Sequence, residues 1–175
     1  MAVLIEAHSV IVRVDSILAR YPGEWAGSVG DCPNGTHCMD GYVARVGFMH
    51  TDDVGAIVAR LLTRGLRYFE DGRAHDVVVV DQQCGPMVRC DWLEVGRATK
   101  GKCRVTACRL KGTETELEIP EGWDYEGSFS QTFIFTPLGA MDKAMTFLRH
   151  EGGADVYLSR LTGDEVYMAR ANVDT

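Results

Sequence analysis

Residues 43 to 65 read Val43-Ala44-Arg45-Val46-Gly47-Phe48-Met49-His50-Thr51-Asp52-Asp53-Val54-Gly55-Ala56-Ile57-Val58-Ala59-Arg60-Leu61-Leu62-Thr63-Arg64-Gly65, and the period of the apolar positions changes partway along. Over Val43 to Met49 the residues alternate as in a half-buried strand. From Thr51 or Asp52 as N-cap, Val54, Ile57, Val58, Leu61 and Leu62 recur at steps of three and four. That spacing lays one apolar stripe along a helix, with Arg60 and Arg64 opposite it and Gly65 as the stop signal. The stretch predicts a strand followed by a helix. Beyond it, Arg67-Tyr68-Phe69-Glu70, the turn Asp71-Gly72 and the valines Val77 to Val80, ending at Asp81, extend the order to strand, helix, strand, strand.

The N-terminal run Val3 to Val14 reads as one more strand, followed by a short helix from Asp15 or Ser16 to Arg20 that Tyr21-Pro22-Gly23 breaks. Asp91 to Arg97, Cys103 to Leu110 and Thr115 to Ile119 read as successive antiparallel strands. A similar order returns near the C-terminus. Gln131-Thr132-Phe133-Ile134-Phe135 alternates, Pro137 suits a helix start, and Leu138, Met141, Met145 and Leu148 make a helical stripe that Gly152-Gly153 ends. Asp155 to Ser159 and Glu165 to Ala169 then form a hairpin around Thr162-Gly163-Asp164. A shift of 87 positions places Val46 on Phe133, Phe48 on Phe135, Val54 on Met141, Val58 on Met145, Leu61 on Leu148 and Gly65 on Gly152.

The expected architecture is α+β: antiparallel sheets with two principal helices on one face, built by internal duplication of a β-α-β-β unit. Residues 1–87 and 88–175 are then half-repeats fused into one compact domain, with a groove between them. The element order over residues 42 to 97 resembles the repeating module of the vicinal oxygen chelate, or glyoxalase-like, family. That resemblance implies a metal in the cleft between paired modules, for which His50 and Glu94 are the candidate ligands. The matching early strand of the second repeat offers Gln131 where a histidine would be expected.

The chain has 175 residues, with eighteen basic against twenty-five acidic side chains and a net charge of -7. It has no contiguous run of lysines or arginines, so nucleic acid and anionic membrane are not expected partners. The N-terminus lacks a basic leader region, and Glu6 stops its apolar run early. Val77 to Val80, the longest later run, is too short to span a bilayer. Without an export signal, Cys32, Cys38, Cys84, Cys90, Cys103 and Cys108 read as reduced thiols in a cytoplasmic protein. They contain no Cys-x-x-Cys pair. Cys32, His37 and Cys38 are the nearest approach to a zinc cluster, and no cofactor is expected.

No phosphate-binding glycine loop, His-Glu-x-x-His or Gly-x-Ser-x-Gly motif is present. His8, His37, His50, His75 and His150 are scattered. In Val77-Val78-Val79-Val80-Asp81-Gln82-Gln83-Cys84-Gly85-Pro86 a cysteine stands where a strand enters a turn. Cys84 is the candidate nucleophile if a base converges on it, and otherwise a small apolar residue packed against Val80 with a raised pKa. The acidic, glycine-punctuated segment around Trp123 and Tyr125, with Trp25 in a similar aromatic turn, is the candidate ligand-binding surface. Its alternative is a loop that Trp123 caps onto the core. The expected function is a noncatalytic module that binds a small ligand or a protein in the groove between the halves. The alternative is a small enzyme, either metal-assisted or based on Cys84. A third reading joins two copies in a homodimer through exposed sheet edges.

Overall fold

The computed structural model describes residues 2–21, 23, 25, 32, 35–114, 116–134, 145–151, 154–159 and 165–169. They fall into two compact units, Met1–Phe133 and Ile134–Thr175. The first contains strands β1 (Ala2–Ile5) and β2 (His8–Arg13), helix α1 (Val14–Arg20), β3 (Thr36–Met39), β4 (Val43–Phe48) and helix α2 (Thr51–Thr63). These are followed by β5 (Phe69–Glu70), β6 (Arg73–Ala74), β7 (Val77–Asp81), β8 (Gly85–Pro86), β9 (Leu93–Lys100), β10 (Cys103–Leu110), β11 (Leu117–Glu118) and helix α3 (Phe129–Ile134). Helix and antiparallel sheet are therefore mixed, as the sequence predicts.

One sheet has the order β3-β4-β2-β7-β8 and a second the order β11-β1-β10-β9; β5 and β6 form a separate hairpin. Among the described residues all strand pairings in the unit are antiparallel apart from β11 against β1, and an isolated parallel bridge joins Ala7 to Phe48. Strand alternation sends Val10, Val12, Ala44, Val46, Phe48 and Val77 to one face of the five-stranded sheet, where they meet Ile17 of α1 and Val54, Ile57 and Leu61 of α2. Ile11, Val43, Val78 and Val80 face the other way and meet Val3, Ile5, Leu93 and Cys108 of the four-stranded sheet. A sheet covered on both sides can carry near-continuous apolar strands, which is why β4 is buried at every position and β7 reads as a valine run.

The N-terminal strand is where the structure first corrects the sequence. The expected strand Val3 to Val14 is instead two strands in two different sheets, broken at Glu6-Ala7, and Val14 opens helix α1. Ala7 takes φ 44°, the left-handed region that a residue with a Cβ rarely enters. Gln82 holds it there: the Ala7 N–H donates to Gln82 Oε1 at 2.7 Å, and the Gln82 N–H donates to the Ala7 carbonyl at 2.8 Å. One apolar run thereby crosses from layer to layer.

The second unit contains β12 (Met145–Glu151), β13 (Ala154–Ser159) and β14 (Glu165–Ala169), an antiparallel meander in that order. Arg149 bridges Glu151 and Glu165 at 2.8 Å each. This corrects the duplication. Met145 and Leu148, expected on a helix, lie on β12, and Phe133, expected on a strand, lies in helix α3. The 87-residue shift thus sets strand against helix and helix against strand. Short apolar stretches satisfy both periods, so which one wins is decided by the surface they bury. Pro137, Leu138, Met141, Gly152-Gly153 and the turn Thr162-Gly163-Asp164 lie outside the described residues. No helix among the described residues is long and apolar enough to cross a membrane.

Candidate functional site

Two polar sites lie in the first unit, both where a strand ends beside a residue remote in sequence. The first is the crossing at Glu6. Its side chain is 1% exposed and belongs to an otherwise apolar run. A carboxylate in such a place must be hydrogen-bonded to be tolerated. Trp123 Nε1–H donates to Glu6 Oε1 at 2.7 Å, and the Ser130 N–H and hydroxyl reach the same oxygen at 3.4 and 3.3 Å. The Thr36 hydroxyl donates to Oε2 at 2.9 Å.

Arg45, also 1% exposed, completes the site from the middle of β4. Its Nη1 donates to the Thr36 hydroxyl and to the Thr36 carbonyl at 2.9 Å, and lies 3.8 Å from Glu6 Oε2. Thr36 therefore relays between the two charges, accepting from Arg45 and donating to Glu6. Nη1 occupies the space over Gly47, where an added Cβ would stand 2.7 Å from it. Arg45 Nε and Nη2 have no hydrogen-bond partner among the described residues. The thiols of Cys38 and Cys108 are also near the guanidinium.

Burial dominates the titration of this cluster. It pushes both thiols up against the opposing pull of Arg45, and pushes the guanidinium down against the pull of Glu6. Burial, with Arg45 adding to it, also lowers His37. The Cys38 thiol donates to the Glu118 carbonyl at 3.1 Å. Both thiols are buried, and none of the six cysteines is in a disulfide.

The second site is the corner after β7, and it shows where Cys84 stands. Cys84 is exposed, not packed against Val80. Asp81 organises the turn: its Oδ1 accepts from the N–H of Gln83 at 2.8 Å and of Cys84 at 2.9 Å, and its Oδ2 lies 3.3 Å from His8 Nδ1. Burial works against ionisation of Asp81, yet His8 and the two N–H groups outweigh it and hold the carboxyl down to about 2. The His8 ring packs edge-on against Phe133 at 5.0 Å. The negative charge on Asp81 raises the Cys84 thiol above its ordinary value. A nucleophilic thiol needs a base or a positive charge beside it; this one has a carboxylate.

The other sequence candidates do not converge. His50 is exposed at the start of α2, on the helix side of the five-stranded sheet. Glu94 is on β9 in the other sheet, bound by Arg109 at 2.6 Å. Among the described residues no group of three or more His, Cys, Asp or Glu is placed to hold a metal ion. Trp25 packs against the helix-side core and meets Tyr21 edge-on at 5.9 Å. Trp123 is half-buried on Glu6, with Tyr125 edge-on at 6.3 Å. The aromatic loop is thus tied to the core through its indole. The sequence reading passed over Glu6, Arg45 and Asp81; the available signal was a charged residue inside or at the end of an apolar strand run. Compared with protein-family models, with curated proteins and with solved structures, the chain matches none.

Proposed function

We propose that this chain is a noncatalytic interaction module that engages its partner through exposed surface, in a cytoplasmic setting where its six thiols stay reduced. The observation that carries this reading is the corner at Cys84. The thiol faces the Asp81 carboxylate, and that carboxylate faces His8, so the thiolate is opposed where a cysteine enzyme would favour it. The buried ionisable pair supports it too: Glu6 is 1% exposed and both its oxygens accept hydrogen bonds, from Trp123, Ser130 and Thr36, so that carboxylate is not presented to solvent as a general base would be. Protein is the better-supported partner class, because the aromatic candidates Trp25 and Trp123 are engaged by the core while exposed strand edge remains.

Two measurements test this. Alkylation of Cys84 in the folded protein, followed from pH 5 to 9, is expected to lag that of the same thiol in the unfolded chain, and Asp81→Asn is expected to speed it. Elemental analysis of the purified protein is expected to show no stoichiometric metal. Labelling of Cys84 near pH 6 faster than in the unfolded chain, or one bound metal per chain, would move the reading to an enzyme.

A further inference from the structure

Charge in the first unit is segregated in a way that the overall balance hides. From residue 97 to 111 the chain carries Arg97, Lys100, Lys102, Arg104, Arg109 and Lys111 and no acid; from 112 to 127 it carries Glu114, Glu116, Glu118, Glu121, Asp124 and Glu126 and no base. The basic set belongs to one hairpin. β9 and β10 pair in full register from Leu93 with Leu110 to Lys100 with Cys103, and turn at Gly101-Lys102, where Gly101 takes φ 59°. This gathers Arg97, Lys100, Lys102 and Arg104 at the tip, all exposed. Among the described residues none of these four has an ion-pair partner. Neither do the six acids, of which all but Glu118 are exposed.

The sheet keeps the four tip residues apart from Glu118. In the order β11-β1-β10-β9 the hairpin forms one edge and the acidic segment, through Glu118 on β11, forms the other. Register separates them lengthwise as well: Val3 pairs with both Cys108 and Glu118, which puts Glu118 level with Cys108, five residues along β10 from the Cys103 end. With a rise of about 3.3 Å per residue and strands about 4.8 Å apart, the hairpin tip and Glu118 stand on the order of 20 Å apart. That exceeds the screening length of about 8 Å at physiological salt, so they do not neutralise each other within one chain.

We infer that the basic β9–β10 hairpin of one copy docks on the acidic 114–126 segment of a second copy. The complementary charge is supplied by the chain itself, at equal concentration and on the opposite sheet edge. A two-fold arrangement lets each copy give its hairpin and receive its partner's, which closes the assembly as a dimer. β9 is well suited to the contact because among the described residues only one of its edges is paired. The inference rests on the interaction-module reading but can fail separately from it.

The test is mass in solution by sedimentation equilibrium at 50 and 500 mM salt, with three proteins checked for native circular dichroism. Wild type is expected to dimerise at low salt, with dissociation at least tenfold easier at high salt. The hairpin variant Lys100→Glu/Lys102→Glu/Arg104→Glu and the loop variant Glu114→Lys/Glu116→Lys/Glu121→Lys are each expected to be monomeric. An equimolar mixture of the two restores the dimer, because both contacts are then complementary, one with native signs and the other with signs exchanged. Wild type monomeric at low salt, undiminished dimer in either variant, or no recovery in the mixture overturns the inference. A monomeric wild type that binds a heparin column through the hairpin also overturns it, assigning the patch to a polyanion while leaving the interaction-module reading in place.

Discussion

The Glu6–Arg45 crossing and the β9–β10 hairpin are both built from charged side chains on strands of the first unit, yet their charges are treated oppositely. At the crossing every charge is buried and bound to groups far away in sequence; at the hairpin the charges are exposed and face solvent. A buried ion costs several kcal/mol to desolvate and persists only where hydrogen bonds compensate, so Glu6 and Arg45 report on how the layers are joined. An exposed lysine costs almost nothing to the fold. Its lack of an ion-pair partner among the described residues therefore has little bearing on stability.

The sharpest way to break this comparison is to remove one member of the buried pair. Glu6→Leu or Arg45→Leu is expected to cost about 3–5 kcal/mol by urea unfolding, since the other charge is left buried and unpaired. The double replacement should cost clearly less than the sum of the two. A single replacement under about 1 kcal/mol would put the crossing in the same class as the hairpin. Gly47→Ala comes next. Its Cβ would stand 2.7 Å from Arg45 Nη1 and 3.2 Å from the Glu6 carbonyl, and a loss of about 1–3 kcal/mol is expected.

Asp81 gives a smaller effect that sharpens the contrast by pH. Its carboxyl is held at about 2 in the folded chain against an ordinary 3.8. A depressed carboxyl adds stability that is complete above about pH 4 and is lost as pH falls toward 2. Asp81→Asn should flatten that part of the acid unfolding curve and leave the rest unchanged; an unaltered curve would show that the His8 contact contributes nothing. The smallest change is at the hairpin. Lys100→Ala and Lys102→Ala are expected to move unfolding by less than about 0.5 kcal/mol.

Much of the local structure was legible in the residues. The stripe of Val54, Ile57 and Leu61 gave α2 and its buried face, the valines gave β7, and the alternation of Cys103 to Leu110 gave β10. Of the candidate site, the sequence picked out the corner at Cys84 but not the carboxylate beside it, because a thiol between a turn and a strand looks alike whether it faces Val80 or solvent. Trp123 was legible as an unusual residue; its partner, 117 positions earlier, was not.

By itself, then, the sequence determined the class of each strongly periodic element, since hydrophobic period is a property of neighbouring residues. It also set the net charge and the crowding of bases and acids into two adjacent segments. Tertiary structure alone decided that Val3 to Arg13 splits between sheets, because that break depends on Gln82 holding Ala7 and on Thr36, Trp123 and Ser130 meeting Glu6. It likewise decided that Met145 to Glu151 is a strand, since a short apolar stretch takes the period of the surface it joins. And it placed the β9–β10 hairpin and Glu118 on opposite edges of one sheet, where strand order and register hold the hairpin tip and Glu118 apart.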